Sequence, residues 1–100
     1  MTINIQFVKM PTSEALTAYT EKKLQKLAIK YSWLINADVF FKLESDHTGK
    51  KICDMELSLP GPKVFASSKE DNFEMAVKET ISDLDKQLRK RKEVTFGNNH

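Results

Sequence analysis

Two groups of closely spaced cations are the residues with the clearest chemical potential in this sequence. Five of the seven residues from 86 to 92 are Lys or Arg, and they end a predicted amphipathic helix. A row of lysines occupies the other predicted helix, although the net charge of the whole chain is only +2. Cations gathered on helices are typical of proteins that bind phosphates. The candidate binding residues are Lys22, Lys23, Lys26, Lys30, Lys86, Arg89, Lys90 and Lys92.

The same cations also have an ordinary explanation. Lys and Arg near a helix C-terminus offset the helix dipole and stay solvated. One or two cations would be enough for that purpose, and the five between residues 86 and 92 exceed it. The pattern therefore favours a phosphate-binding face on the two helices over simple solvation.

No other pattern indicates a catalytic, cofactor or metal site. Asp54 and Glu56 share one face of a predicted strand, but no cleft is predicted to raise either pKa, so surface charge is the simpler interpretation. Cys53 faces inward, and neither His47 nor His100 stands at a spacing typical of a zinc ligand or a catalytic base. We therefore predict no enzyme, no cofactor, no metal and no small-molecule substrate.

Two aromatic residues near the end of the first helix allow two interpretations. Tyr31 and Trp33 flank the helix end next to Lys30, so a nucleic-acid base could stack there. Aromatic residues in such a place more often close a core. We favour the core interpretation.

Length and composition fit one globular domain. The chain has 100 residues, of which 40% are hydrophobic and 30% charged. The apolar stretches are too short to span a membrane, and the N-terminus lacks the pattern of a signal peptide. Cys53 is the only cysteine, so no intrachain disulfide can form. We expect a cytoplasmic protein with no membrane partner.

Hydrophobic periodicity shows which elements carry the cations. Alternating apolar residues predict strands, and apolar residues at a spacing of about 3.6 predict helices. Gly49 and the Pro60-Gly61-Pro62 segment predict turns. The predicted elements are a strand at 3–7, a helix capped by Thr12 or Ser13 and ending near Tyr31, strands at 38–44, 51–59 and 63–68, and a helix at 71–93 with a capping box at 71–74.

This order predicts an α+β fold, a β-α-β-β-β-α two-layer sandwich in which both helices cover one face of a four-stranded sheet. The predicted core consists of Val39, Phe41, Leu43, Met55, Leu57, Leu24, Leu27, Ile81, Leu84 and Leu88. The opposite, open face is predicted to carry Asp38, Phe40, Lys42, Glu44, Ile52, Asp54, Glu56 and Ser58. Because that surface reads as net acidic, an alternative function is a small protein-interaction module that uses the open sheet face.

Several segments together resemble a known family. They are Ile-Asn-Ile at 3–5, Tyr-Thr-Glu-Lys-Lys-Leu-Gln-Lys-Leu at 19–27, Ala-Asp-Val-Phe-Phe-Lys-Leu-Glu at 37–44, Val-Phe-Ala-Ser at 64–67 and Asp-Lys-Gln-Leu-Arg-Lys at 85–90. In order, spacing and length, residues 1–93 resemble the ribosome hibernation-promoting factor and ribosome-associated inhibitor A family.

The resemblance implies a fold related to the double-stranded-RNA-binding domain. It implies binding to rRNA in the decoding channel of the small ribosomal subunit, across the tRNA A and P sites and the mRNA path. It also implies inhibition of translation and preservation of idle ribosomes. The basic positions of the family fall on the eight candidate cations named above.

The resemblance is strongest to the short members of the family. No dimerising domain follows Glu93, and the acidic tail of the inhibitor-type members is missing. We therefore expect a single ribosome-binding domain at 1–94, a flexible tail at 95–100, and a monomer when the protein is free.

Overall fold

The computed structural model describes residues 1–95, and its elements follow the predicted order β-α-β-β-β-α. They are β1 (Thr2–Phe7), α1 (Glu14–Lys30), β2 (Asn36–Leu43), β3 (Lys51–Ser58), β4 (Val64–Glu70) and α2 (Phe73–Thr95). The strands form one sheet in the order β1-β2-β3-β4. β1 pairs parallel with β2, and the remaining neighbours pair antiparallel. The predicted α+β architecture is therefore confirmed.

Burial separates the two faces of the sheet. Successive strand residues point to opposite faces, so the register that pairs Val39 with Met55 places both on the same side. Both are fully buried, and so is Leu57 two residues further along β3. The helices bury their apolar stripes against this same face, which makes the molecule a two-layer sandwich. The helix residues in the core include Leu16, Thr20, Leu24, Leu27, Ala76, Val77, Thr80, Leu84 and Leu88.

Helix α1 begins and ends where its sequence predicts. Ser13 is the N-cap, and its Oγ accepts a 3.1 Å hydrogen bond from the backbone N–H of Leu16. Tyr31 caps the other end, where its backbone N–H donates to the carbonyl of Leu27. With one face fixed by burial, the lysines are left on the rest of the helix surface.

The start of α2 differs from the predicted capping box. Asn72 caps the helix, because its Oδ1 accepts a 2.8 Å hydrogen bond from the N–H of Met75. Asp71 stands one residue too early, and its carboxylate instead pairs with Lys50 at 2.5 Å. Asn and Asp are about equally good caps, so composition alone could not choose between these neighbours.

The prediction that Leu43 belongs to the core is wrong, because its side chain is 50% exposed. The ring of Phe73, the first residue of α2, packs edge-on against Phe41 with centroids 5.3 Å apart. Leu43 lies two residues after Phe41 on the same side of β2. It is past the part of the sheet that the helices cover. The remaining predicted core residues are buried, or in the case of Ile81 half-buried against the core.

Element ends account for the other differences. β2 begins at Asn36, where it pairs with Thr2 and Ser58, and β4 continues to Glu70. Helix α2 continues through Thr95, two residues beyond its predicted end, and residues 96–100 of the predicted tail lie outside the described residues. No helix within residues 1–95 is long and apolar enough to cross a membrane.

Candidate phosphate-binding surface

A cleft between the two helices collects three of the predicted lysines. Its volume is about 190 Å³, and we call it the interhelical cleft. The aliphatic stem of a lysine can pack on apolar surface while its ammonium group stays in solvent. The cleft is lined by Lys23, Lys26, Leu27 and Lys30 of α1 and by Ile81 and Asp85 of α2.

Aromatic rings support two of these lysines. The Nζ of Lys23 lies 5.4 Å from the centre of the Tyr19 ring, and the Nζ of Lys30 lies 5.5 Å from the centre of the Tyr31 ring. Both distances allow cation–π attraction. Lys22, the fourth lysine of α1, is exposed and does not line the cleft.

Asp85 is the polar junction between the helices. Its Oδ2 lies 2.9 Å from the Nζ of Lys30, and its Oδ1 accepts a 2.6 Å hydrogen bond from the Tyr31 hydroxyl. Arg89, four residues further along α2, approaches Oδ2 to 3.8 Å. One carboxylate therefore connects the end of α1 with two of the predicted phosphate-binding cations.

The pKa values at this junction follow from these contacts. The hydrogen bond with Asp85 raises the pKa of Lys30, so its ammonium form is favoured. Burial and the hydrogen bond to Asp85 both raise the pKa of Tyr31. Burial would also raise the pKa of Asp85, but the hydrogen bonds from Tyr31 and Lys30 outweigh it, so its pKa is lowered. At neutral pH, the cluster consists of a carboxylate, a neutral phenol and a cation.

The cations of α2 occupy more than one side of the helix. Side chains four or seven positions apart share a helix face, so Arg89 and Lys92 continue the side that carries Asp85. Lys90 lies on the opposite flank, in a groove of about 330 Å³ that is also lined by Val64, Gln87, Arg91 and Val94. Lys86 is exposed. The structure therefore brings Lys23, Lys26 and Lys30 to one cleft, with Arg89 near its Asp85, whereas Lys22, Lys86, Lys90 and Lys92 do not line that cleft.

The end of α2 is tied to the sheet by two residues that the sequence did not single out as contacts. The side-chain amide of Gln87 donates a 2.9 Å hydrogen bond to the carbonyl of Phe65 in β4. Arg91 directs Nη1 at the carbonyl of Pro60, at 3.5 Å. Arg91 belongs to the basic run, yet its side chain contacts the turn between β3 and β4. These contacts hold the cationic end of the helix in place relative to the sheet.

The open face of the sheet is less acidic than its strand residues suggested. Lys42 pairs with Asp54 at 2.8 Å, Lys63 pairs with Glu56 at 3.2 Å, and Lys69 pairs with Glu44. The sequence interpretation counted Lys42 alone, because it drew the open face only from the strands at 38–44 and 51–59 and left out the segment that carries Lys63 and Lys69. The fourth acid, Asp38, accepts hydrogen bonds from the side-chain amides of Asn4 and Asn36. The face therefore remains slightly acidic, but three of its four predicted acids are paired with lysines.

The other residues that were candidates for chemistry lie in surroundings that indicate structural roles. Cys53 is fully buried, and burial raises the pKa of its thiol to about 12, so it stays protonated and unreactive. Tyr31 is 1% exposed and packs edge-on against Trp33, which leaves no open ring face for a base and favours the core interpretation. Within residues 1–95, no group of three or more His, Cys, Asp or Glu side chains is placed to hold a metal ion. His100 lies outside the described residues.

Asp85 is the main site residue that sequence reasoning missed. A sequence signal exists, since Asp85 immediately precedes the basic run and stands four residues before Arg89, a spacing at which helix side chains pair. Its partners on α1 are 54 and 55 residues away in sequence. No local pattern can indicate those contacts.

A family model described as Sigma 54 modulation protein / S30EA ribosomal protein matches residues 3–95 of the chain. The comparison with curated proteins found no match.

Several solved structures are similar to this one, among them the following two. A ribosomal subunit interface protein from Coxiella burnetii is 29% identical, with a TM-score of 0.83 over 92% of this chain and 98% of that chain. The N-terminal domain of Protein Y from Thermus thermophilus is 23% identical, with a TM-score of 0.78 over 90% of this chain and 98% of that chain. At 23% identity, the second similarity shows the fold alone.

Proposed function

Because the chain belongs to the Sigma 54 modulation protein / S30EA ribosomal protein family, we propose that it binds the ribosome and regulates translation. More specifically, we propose that it binds rRNA in the decoding channel of the small subunit, across the tRNA A and P sites and the mRNA path. Occupying that channel inhibits translation and preserves idle ribosomes. This function places the protein in the cytoplasm.

The observation that carries this proposal is the distribution of charge between the two layers. Candidate binding cations are concentrated on the helices, around the interhelical cleft and along α2. The opposite face pairs three of its acids with lysines. A phosphate-rich partner is therefore attracted to the helical layer.

The chemistry of the site suits folded rRNA. Double-helical RNA is recognised largely through its shape, its phosphates and its 2′-hydroxyls, so a binder needs a rigid basic surface more than side chains that read bases. Helices α1 and α2 supply such a surface through Lys22, Lys23, Lys26, Lys30, Lys86, Arg89, Lys90 and Lys92. A protein that inhibits by filling a channel needs no catalytic group, which is consistent with a non-enzymatic role.

Co-sedimentation with purified small ribosomal subunits tests this proposal. The protein should pellet with the subunits at low salt and dissociate as salt rises, because each phosphate contact releases counterions on binding. Binding to purified large subunits under the same conditions measures general attraction to RNA, and it should be weaker than binding to small subunits. The proposal would be refuted if the subunits pellet and the protein stays in the supernatant at every salt concentration.

We also propose that the protein is a monomer before it binds the ribosome. Light scattering of the free protein tests this. An average mass near the chain mass of 11.5 kDa over a range of concentrations is the expected result. A stable dimer mass would refute this part alone.

The alternative, a protein-interaction module on the open sheet face, has less support. Partners of the open face would meet Phe65, which is 53% exposed, among charges that are already paired. That arrangement offers little uncompensated charge for a partner to neutralise. Variants that alter only one layer, described in the Discussion, distinguish the two functions.

A further inference from the structure

Asp85 is a carboxylate in the middle of a surface that otherwise carries cations. Lys23, Lys26 and Lys30 line the interhelical cleft with it, and Arg89 stands one helical turn away. A negative charge here lowers the local attraction for phosphates. Affinity based on charge alone would therefore be higher without Asp85, and its presence calls for another role.

The geometry around Asp85 provides that role. Tyr31 is 1% exposed, and its hydroxyl holds the carboxylate from the core side at 2.6 Å. The anchored carboxylate in turn holds the Lys30 ammonium through two contacts, at 2.9 and 3.1 Å. Tyr31, Asp85 and Lys30 therefore form a chain of contacts that runs from the core to the surface.

The held cations keep the capacity to bind an anion. The side chains of Lys30 and Arg89 are 52% and 59% exposed. An ammonium group has three N–H donors and a guanidinium group has five, so contact with Asp85 leaves donors that face solvent. Each side chain can accordingly contact Asp85 and a phosphate at the same time.

We propose that Asp85 is a positioning residue for phosphate binding, which orients Lys30 and Arg89 before the RNA arrives. The proposal rests on the proposed function. Long cationic side chains lose rotamer freedom when they bind, and that loss weakens affinity unless they are already held in place. Asp85 reduces this loss at the seam between the helices, although it removes one unit of positive charge from the surface.

The Asp85→Asn variant tests this role, with Asp83→Asn as the matched control. Both variants remove one negative charge from α2, and Asp83 is exposed with a single long contact, at 3.5 Å, to Gln87. In Asp85→Asn, the new amide keeps a side-chain oxygen that can accept the hydrogen bond from Tyr31, so the core contact survives. Thermal unfolding of both variants verifies that they fold.

The measurement is the dissociation constant for purified small subunits at one fixed salt concentration. We expect Asp85→Asn to bind about three- to tenfold more weakly than the unchanged chain, the size expected for releasing one or two ordered side chains. Asp83→Asn should bind as tightly as the unchanged chain or slightly more tightly. Charge alone predicts that Asp85→Asn, which removes a carboxylate from the cation-lined cleft, binds at least as tightly as Asp83→Asn, so an Asp85→Asn affinity equal to or above that of Asp83→Asn would overturn the inference.

A double-mutant cycle with Lys30→Gln separates positioning from a general structural effect. If Asp85 acts through Lys30, most of the weakening caused by Asp85→Asn disappears when Lys30 is already Gln. An undiminished weakening in the Lys30→Gln background would show that Asp85 acts in some other way, and the inference would be wrong. If the unchanged chain fails to bind small subunits at all, the proposed function falls first and this inference falls with it.

Discussion

The hydroxyl of Tyr31, the residue that caps the end of α1, donates a 2.6 Å hydrogen bond to Oδ1 of Asp85 on α2. Tyr31 is 1% exposed, whereas the side chain of Asp85 is 25% exposed, so the bond lies where the core meets the surface. It joins the two helices that carry the predicted binding cations.

Acid should weaken this link. The pKa of Asp85 is lower in the folded chain than its ordinary value, so its charged form stabilises the fold at neutral pH. That contribution disappears as pH falls below the ordinary aspartate pKa of about 3.9 and through the folded-state value. We expect the difference in unfolding free energy between the unchanged chain and Asp85→Asn to be constant from about pH 5 to 7 and to shrink below about pH 4. Urea titrations at several pH values measure it, and a difference that grows in acid would contradict the prediction.

Binding to small subunits should depend on the helix cations and not on the lysines of the open face. The triple variant Lys86→Gln, Arg89→Gln and Lys90→Gln removes three positive charges, and Lys42→Gln, Lys63→Gln and Lys69→Gln removes the same number from the other layer. We expect the first to bind much more weakly, with a salt slope smaller by about 0.7–0.9 for each phosphate that it no longer neutralises. Co-sedimentation over a salt series gives both quantities.

The open-face triple variant should bind nearly as well as the unchanged chain. A cell-free translation assay provides a second measurement, because the open-face variant should still inhibit and the helix variant should not. If the open-face variant fails to bind while the helix variant still binds, the protein-interaction function replaces the rRNA-binding one.

Leu57 and Leu43 allow the same substitution to be compared at a buried and an exposed site. Leu57 is fully buried in β3, so Leu57→Ala should lower the unfolding free energy by about 2–5 kcal/mol. Leu43 is 50% exposed, and Leu43→Ala should lower it by about 1 kcal/mol or less. Denaturant unfolding measures both, and similar decreases would argue against the helix layer ending near Phe41.

Asn72 and Asp71 provide a comparison at the start of α2. Asn72→Ala removes the side-chain acceptor for the N–H of Met75 and should lower the unfolding free energy by about 0.5–2 kcal/mol. Asp71→Ala removes only an exposed ion pair with Lys50, and such pairs contribute little. Denaturant unfolding of both variants makes the comparison. A larger effect for Asp71→Ala would mean that the cap lies where the capping-box pattern placed it.

The two-layer fold could be predicted from the sequence because its information is local and periodic. Leu24, Leu27 and Tyr31 recur at helical spacing, and Cys53, Met55 and Leu57 alternate along a strand. Single residues at the ends of elements were less predictable. The exposure of Leu43 depends on where α2 starts above the sheet, which is a tertiary relationship that periodicity along β2 does not contain.

The candidate site was predictable in its cations but not in their pairing. The lysine row of α1 and the basic run of α2 are visible in the chain, whereas the bond between Lys30 and Asp85 joins residues 55 positions apart. The open face was misjudged for another reason, because the sequence interpretation left out the segment that carries Lys63, which pairs with Glu56. Charge counted within an element therefore misjudged a surface to which neighbouring segments contribute.

The hydrogen bond from Gln87 to Phe65 has a consequence for behaviour at high concentration. β4 is an edge strand, and strands of this kind expose backbone groups to which another chain can add a strand. The side-chain amide of Gln87 donates a hydrogen bond to one of these carbonyls, and α2 lies beside the start of the strand at Val64. A second molecule that extended the sheet there would first have to displace this side chain, so the helix that carries the binding cations also obstructs strand addition at this edge.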